Sequence, residues 1–275
     1  PENEKIALIG NNGSGKTTLL RVLLGEEEAD TGSIIMPSRT TLGSLKQEAN
    51  PNPKATVLEE ALMGAENILR KQVKLAELTE KMAETADEKI LHEYEILDSE
   101  LQQIGGYELE SKAESILMGL GFTKNQMTVS PISLSGGWAM RLEMAKMLIK
   151  EPNFMILDEP TNHLDLPSLV WFEKYLQSYK GTLLFVSHDM DLLNRLSTVV
   201  LHLNQGILRS YKGNYDQFIS QKEERELHDK NKIENLYNVL NLEKYTNKCR
   251  PSCEIPIILT WHEKSYKLDT IILNS

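Results

Sequence analysis

The segment KIALIGNNGSGKTT, residues 5–18, is the most informative part of this 275-residue chain about its fold. A short apolar run that ends at Ile9 predicts a buried strand, and the residues from Thr17 to Leu24 predict a helix that stops near Gly25. The turn between them matches the pattern G-x-x-x-x-G-K-[ST] in the strand, loop, helix context that the pattern requires. We therefore predict a P-loop, whose backbone N–H groups converge on phosphate beside the positive end of a helix dipole.

The residues of this loop have distinct predicted contributions to nucleotide binding. Lys16 should reach the β- and γ-phosphates, and the Thr17 hydroxyl should ligate Mg²⁺. The alternative is a glycine-rich turn that binds nothing, which the flanking strand and helix disfavour. The predicted nucleotide contacts in this segment are Gly10, Asn11, Asn12, Gly13, Ser14, Gly15, Lys16, Thr17 and Thr18.

Composition limits the classes of protein that the chain can belong to. With 40% hydrophobic residues and a formal net charge of -10, it can bury a sizeable core but lacks a broad basic surface for nucleic acid, although a local basic patch remains possible. Cys249 and Cys253 form neither a disulfide framework nor a strong metal-ligand pattern. No apolar run approaches the roughly 20 residues of a membrane span, and the first residues lack the layout of a signal peptide. We therefore predict a cytoplasmic protein without direct membrane insertion.

Further apolar strands predict an α/β fold. The segments Phe154–Leu157 and Thr182–Ser187 are apolar on both faces, with an amphipathic helix between them, which indicates a parallel sheet flanked by helices. Val199–Leu203 and Ile207–Tyr211 predict a terminal β-hairpin. We expect one nucleotide-binding domain over residues 1–235. A tail follows at 236–275, for which the sequence gives no structure or role.

A polar, helical segment separates the P-loop from the later strands. From about Glu59 to Ile104 it predicts a helical hairpin, which forms an arm on a helical subdomain of about 59–150. The second helix of this arm carries apolar residues at alternating spacings of four and three, the pattern of a helix packed along one partner. These residues are Ile90, Tyr94, Leu97, Leu101 and Ile104.

Two carboxylates follow the strand that ends at Leu157. Asp158 and Glu159 would lie at the carboxyl edge of the sheet, where open α/β sheets bind ligands. Asp158 would hold Mg²⁺, and Glu159 would orient or deprotonate the attacking water. The alternative is a pair of helix N-cap residues, which the nearby P-loop disfavours.

Three motifs in order carry a family resemblance: the P-loop, LSGG at residues 134–137 before a helix, and LDEP at 157–160. Together they resemble the ATP-binding cassette family of P-loop NTPases, over about residues 5–234. Ser135, Gly136 and Gly137 at a helix start form a predicted anion site. The resemblance implies that this site faces the γ-phosphate of ATP bound to an opposite cassette. It therefore implies hydrolysis of Mg-ATP with a second cassette, in the same parent protein or as a homodimer.

The resemblance also assigns three single residues. Gln47 matches the Q-loop, which contributes to the metal site and to catalysis. Asp165 matches the D-loop, and His188 matches the switch histidine that can reach a γ-phosphate. For His188 the alternative is a hydrogen-bonded core histidine.

Finer details resemble the ABC-F subgroup, cassette proteins that act on the ribosome in translation or antibiotic protection. They are LSGGWAMR at 134–141, PTNHLD at 160–165, SHD at 187–189 and YKGNY at 211–215. The hairpin then corresponds to the arm of that subgroup's first cassette. The resemblance implies the ribosome as a partner, through both rRNA and ribosomal protein. The arm has five basic against ten acidic residues between Glu66 and Glu100, so RNA contact is not indicated, and protein contact or simple packing stays open.

The resemblance further implies parts that this sequence does not contain. Antiparallel strands with an aromatic residue that stacks on adenine would precede Lys5, and a second cassette would follow. We therefore expect a truncated first cassette whose ATPase activity is impaired. Two alternatives remain open, an ATP-binding subunit of a membrane transporter and a fragment that binds nucleotide without turnover. The long charged hairpin between Gln47 and Ser135 favours the ABC-F assignment over the transporter.

Overall fold

A computed structural model describes residues 3–45, 52–84 and 87–246, with the side chains of Glu84 and 236–246 left aside. It confirms the predicted α/β class. Within the described residues six strands form one sheet of order β2-β3-β4-β1-β5-β6, in which only β5 and β6 are antiparallel. The strands are β1 Lys5–Ile9, β2 Leu42–Ser44, β3 Phe154–Asp158, β4 Thr182–Val186, β5 Val199–Asn204 and β6 Ile207–Lys212.

Helices cover both faces of this sheet because its central strands are apolar on both sides. Leu8 and Ile156 pack with Leu20 of α1 on one face, whereas Ala7 and Phe185 face the larger core on the other. The helices are α1 Lys16–Leu24, α2 Val57–Leu62, α3 Glu66–Glu84, α4 Glu88–Gln103, α5 Leu109–Gly119, α6 Lys124–Met127, α7 Gly136–Lys150, α8 Leu166–Ser178, α9 Met190–Leu196 and α10 Tyr215–Thr246.

The predicted arm is the antiparallel pair of α3 and α4. Ion pairs cross between them, with Lys71 Nζ at 2.7 Å from Glu100 Oε2. Leu97 and Leu101 are buried as the spacing predicted. The prediction was wrong for Ile104, which is 47% exposed, because α4 ends at Gln103 and the chain then turns away through a residue with positive φ.

The C-terminal part of the described chain is a hairpin followed by a long helix. Gln205 and Gly206 join β5 to β6 with φ of 50° and 77°, the conformation of a type I′ turn, so the predicted hairpin is confirmed. Helix α10 crosses residue 235, the predicted domain boundary, and continues to Thr246. The rest of the predicted tail lies outside the described residues. Over the described ranges, no helix combines the length and apolarity needed to cross a membrane.

Candidate nucleotide-binding site

The P-loop connects β1 to α1 at the carboxyl edge of the sheet. Its backbone turns where Ser14 N donates to Asn11 O at 3.1 Å, and Gly15 caps α1 with φ of 97°, a conformation that a β-carbon would strain. A β-carbon on Gly10 would overlap the carbonyl oxygen of Leu203, because β5 packs directly behind the loop. Asn11, Asn12 and Gly13 are exposed at the tip. The loop is thus tightly turned, with little room for side chains at Gly10 and Gly15.

The first residues of α1 supply the polar side chains of this loop. Lys16 Nζ donates to the carbonyl oxygens of Gly10 at 2.8 Å and Asn11 at 3.2 Å, so the ammonium lies against the loop. The first N–H groups of a helix have no partner within the helix, and no acidic residue occupies the first turn of α1. Thr17 and Thr18 are exposed there. This combination favours a bound anion.

Thr17 links the P-loop to β3. Its Oγ1 donates to Asp158 Oδ2 at 3.2 Å, although the two residues are 141 positions apart. Hydroxyl and carboxylate oxygens are ligands that Mg²⁺ prefers, and Mg²⁺ completes its shell with water and substrate phosphates. Thr17 and Asp158 therefore fit a Mg²⁺ site whose remaining ligands would come from nucleotide phosphates and water. Gln47, the third predicted ligand and a predicted catalytic residue, lies outside the described residues.

Glu159 occupies a strained position immediately after β3. Its φ is 48°, and its backbone N–H donates to Val186 O at 3.0 Å, which holds it beside the end of β4. Burial raises the pKa of its carboxyl above the ordinary value of 4.5, and Asp158 adds to this, while His188 and Lys16 oppose it. Left-handed backbone at a non-glycine residue is costly and clusters at functional sites. A carboxyl with a raised pKa is suited to accept a proton from water.

His188 follows β4, the neighbour of β3 in the sheet. Its side chain is 68% exposed, and Nε2 lies 3.4 Å from Glu159 Oε1, within ion-pair distance but without hydrogen-bond geometry. Asp189 fixes the turn by accepting hydrogen bonds from the N–H groups of Asp191 and Leu192. The exposure disagrees with the alternative of a core histidine. The imidazole is free to contact a ligand at the sheet edge.

The signature segment forms a second, separate helix start. Ser135 is the N-cap of α7 and its side chain makes no capping hydrogen bond. Ser135 and Gly136 are exposed, and a β-carbon on Gly136 or Gly137 would meet nothing within 4 Å. The start of this 15-residue helix is therefore open, and its first N–H groups have no side-chain cap.

A cleft of about 970 Å³ lies beside the P-loop, between α1, the end of β2 and α7. Thr17, Asp158 and Glu159 line it, and on the α7 side Met140 and Met144 do so. Residues 135–137 do not line this cleft. The structure thus brings Lys16, Thr17, Asp158, Glu159 and His188 together and leaves the signature segment apart from them.

Asp165 has a structural role that its predicted assignment did not include. It is the N-cap of α8, where Oδ1 accepts from Ser168 N at 3.1 Å. Hydrogen bonds from Ser168 lower the pKa of this carboxyl, and Arg141 adds a smaller effect. The residue therefore fixes the start of α8 directly after the segment that carries Glu159.

Arg141 links α7 to two other segments, a role that the sequence did not predict. Its side chain is nearly buried, with Nε donating to His163 O at 2.9 Å and Nη1 to Leu120 O at 3.1 Å. It also packs on Trp138, with 4.6 Å from Cζ to the ring centroid. This arginine of α7 thereby ties the signature helix to the segment between β3 and α8. No sequence pattern distinguishes such an arginine from one on a surface.

The sheet is mostly parallel, and a P-loop and a carboxylate pair lie at its carboxyl edge. These features define the class of P-loop nucleotide-binding domains. A family model described as ABC transporter matches residues 1–162, and a second model with the same description matches residues 201–240. The chain therefore belongs to the ABC transporter family, whose nucleotide-binding domains are ABC ATPases.

Curated relatives agree with this family. YdiF of Bacillus subtilis is 39% identical over 223 residues, which cover 80% of this chain and 35% of that protein. The ATP-binding protein Uup of Escherichia coli is 33% identical over 223 residues, with 81% and 35% covered. ABC transporter F family member 5 of Arabidopsis thaliana is 33% identical over 227 residues, with 80% and 33% covered. The chain spans about a third of the length of these relatives.

Solved structures share the fold. The ATP-binding subunit of an ABC transporter superposes with a TM-score of 0.58 at 19% identity, over 81% of this chain and 83% of that one. Another is a dimeric ATP-binding cassette in a post-hydrolysis state, bound to ADP and Pi. It superposes with a TM-score of 0.51 at 20% identity, over 77% of this chain and 86% of that one.

Proposed function

We propose that this chain binds Mg-ATP and hydrolyses it with a second cassette, and that it acts on the ribosome as an ABC-F protein in the cytoplasm. The proposed ATPase activity rests on one observation. Thr17 Oγ1 lies 3.2 Å from Asp158 Oδ2, and Glu159 is the next residue in the chain. This convergence supports phosphate binding, metal binding and a candidate base at one edge of the sheet.

Each side chain has a defined task in this proposal. Lys16 leaves the loop carbonyls to contact the β- and γ-phosphates, while the N–H groups of the loop surround them. Thr17 and Asp158 hold Mg²⁺, which when bound neutralises phosphate charge. Glu159 orients the attacking water and accepts its proton, and His188 stabilises charge that develops on the γ-phosphate.

The open start of α7 supports the need for a second cassette. Ser135 and the N–H groups of Gly136 and Gly137 form a candidate anion site, and none of these three residues lines the cleft beside the P-loop. In the proposal they contact the γ-phosphate held by the opposing P-loop. Dimer formation should therefore depend on ATP.

Dimer formation is tested by sedimentation velocity of the Glu159→Gln chain with and without Mg-ATP. This variant retains bound ATP because the amide keeps the shape of the carboxylate but cannot accept the proton. Adding Ser135→Glu, which places a negative charge where the γ-phosphate of the partner's ATP would bind, should abolish the ATP-dependent dimer while leaving nucleotide binding intact. A dimer that forms equally well with Ser135→Glu would contradict the composite site.

The ribosomal part rests on the ABC-F motifs, on the α3–α4 arm and on the relative described as an ABC transporter F family member. It is tested by sedimenting the Glu159→Gln chain through a sucrose gradient with purified ribosomes. We expect movement into the ribosome fractions only with Mg-ATP. Failure of a sample with confirmed ATP binding would instead favour the ATP-binding subunit of a transporter.

A further inference from the structure

A second pocket lies between the β5–β6 hairpin and α10, on the sheet face opposite α1. Leu201 and Leu203 of β5 pack in the core that contains Leu20 of α1. Side chains alternate along a strand, so His202 lies on the other face, where its ring is 5.4 Å from that of Phe218 in α10. The pocket is therefore distinct from the nucleotide site.

The charges that line this pocket are mainly positive. Arg209, Lys222 and Arg225 line it, against the single carboxylate of Glu226. Glu226 Oε1 lies 3.8 Å from Lys222 Nζ, so this carboxylate is paired with the lysine. Among the described residues, neither arginine has an acidic side chain within ion-pair distance. Unpaired guanidinium groups gathered on a chain with net charge -10 indicate a place where an anion is expected.

The cations are held on rigid elements. His202 pairs with Arg209 across the hairpin, and the Arg225 guanidinium lies 5.6 Å from the Tyr211 ring centroid. Tyr211 packs edge-on against Phe218, and both are nearly fully buried. Lys222 and Arg209 also lie close enough to His202 to affect it. Burial is the main cause that lowers the pKa of His202, and these two cations lower it further. A preformed arrangement loses little entropy on binding.

The size of the pocket limits its ligand. Its volume of about 140 Å³ is below the roughly 300–1,000 Å³ of pockets that enclose a small molecule. It can take one phosphate group of a larger molecule that continues into solvent, since Arg209 and Arg225 are exposed at the surface. Arginine forks match phosphate oxygens in a bidentate manner.

We propose that Arg209, Lys222 and Arg225 bind the phosphodiester backbone of RNA, in the pocket between the β5–β6 hairpin and α10. This rests on the proposed ribosomal function, and it assigns RNA contact to a region other than the arm. In the arm, Arg70, Lys71 and Lys74 are already paired with acidic residues of the same hairpin. Their charges are paired locally, whereas within the described parts of the chain Arg209 and Arg225 have no acidic side chain within ion-pair distance.

The test measures binding of a fluorescein-labelled single-stranded RNA to the full chain by anisotropy at several salt concentrations. The double variant Arg209→Gln/Arg225→Gln should bind about tenfold more weakly at low salt. The slope of log affinity against log salt should fall by about 1.4, since each lost phosphate contact on a single strand contributes about 0.7. Arg209→Lys/Arg225→Lys, which keeps both charges but not the guanidinium forks, should keep the salt slope of the wild-type chain and lose only part of the affinity.

The matched control is Arg39→Gln/Lys180→Gln, which removes two exposed positive charges away from the pocket. It should leave RNA affinity and slope unchanged, and all variants should bind a fluorescent ATP analogue equally. Equal RNA affinity in the pocket variant and the control would overturn the proposal. Binding of inorganic phosphate at the pocket by a chain that does not bind RNA would also overturn it.

The same variants separate this inference from the proposed function. If the wild-type chain sediments with ribosomes but the pocket variant binds RNA as well as the control does, the pocket assignment fails alone. If the wild-type chain does not sediment with ribosomes, the proposed function fails, and the anisotropy slopes still decide whether this pocket binds RNA phosphate.

Discussion

His188 and Glu159 face each other at the carboxyl edge of the sheet, with 3.4 Å between Nε2 of the histidine and Oε1 of the carboxylate. They come from consecutive strand ends, since β3 and β4 are parallel neighbours. The imidazole lowers the pKa of Glu159, but burial raises it by more. The pair therefore combines a candidate base with a polar group that can contact the same phosphate.

The raised pKa of Glu159 predicts the acid limb of the hydrolysis profile. A base works as the ionised carboxylate, and a raised pKa means that it is protonated at a higher pH than an exposed carboxyl. The rate should therefore fall, as pH decreases, at a pH above the ordinary carboxyl value of 4.5. Measuring phosphate release from about pH 4 to about pH 8 at saturating ATP checks this. An acid limb with its midpoint at or below pH 4.5 would contradict the raised pKa of Glu159.

Replacing His188 by alanine should slow hydrolysis while nucleotide binding persists. The side chain is largely exposed and makes no packing contribution that the fold requires. Loss of one charge-stabilising group typically costs about 100- to 1,000-fold in rate. Single-turnover phosphate release and titration with a fluorescent ATP analogue separate the two effects. His92→Ala, which changes an exposed histidine of the arm, is the control and should behave as wild type.

Replacing Lys16 by alanine should abolish tight ATP binding. The ammonium lies against the Gly10 and Asn11 carbonyls, where a phosphate bound by the loop would meet it. Removing it leaves the phosphates without their nearest cation. Isothermal titration with Mg-ATP measures the loss, and Lys180→Ala, an exposed lysine outside the site, is the control. Undiminished affinity in Lys16→Ala would place the phosphates elsewhere.

Asp165→Ala should destabilise the domain by about 1 kcal/mol, because α8 loses its N-cap hydrogen bond. Asp165→Asn keeps an oxygen that can cap α8, so its free energy of unfolding should fall by less than that of Asp165→Ala. Since the folded pKa of Asp165 is lowered, its contribution is present above the unfolded pKa and is lost as pH falls through the folded value. Urea unfolding of the three proteins at neutral and acid pH checks both statements. An equal loss in Asp165→Asn would assign the effect to charge and not to capping.

Arg141→Ala should cost about 3 kcal/mol of stability, since the carbonyls of His163 and Leu120 would lose their charged donor. Arg39→Ala, at an exposed site, should stay within about 0.5 kcal/mol of wild type. Thermal unfolding followed by circular dichroism measures both. A loss below about 1 kcal/mol in Arg141→Ala would mean that water replaces the guanidinium at these carbonyls.

Local sequence patterns predicted much of the fold, because they report properties of short segments. An apolar run followed by glycines and Lys16 specifies a strand, a loop and a helix wherever the rest of the chain goes. The spacing of Leu97 and Leu101 likewise predicted the packed face of α4. It failed at Ile104, where the end of the helix, and not its period, decides exposure.

Local sequence is enough to predict the P-loop, the carboxylates after β3 and the signature helix start, since each depends on neighbours in the chain. Which of these elements meet depends on packing between distant segments. Sheet order places the ends of β1, β3 and β4 side by side, so Thr17 reaches Asp158 across 141 residues. Burial of Arg141 and the gathering of Arg209 with Arg225 also arise from packing between distant segments. Such contacts have no local signal, because their energy depends on the position of the whole fold around them.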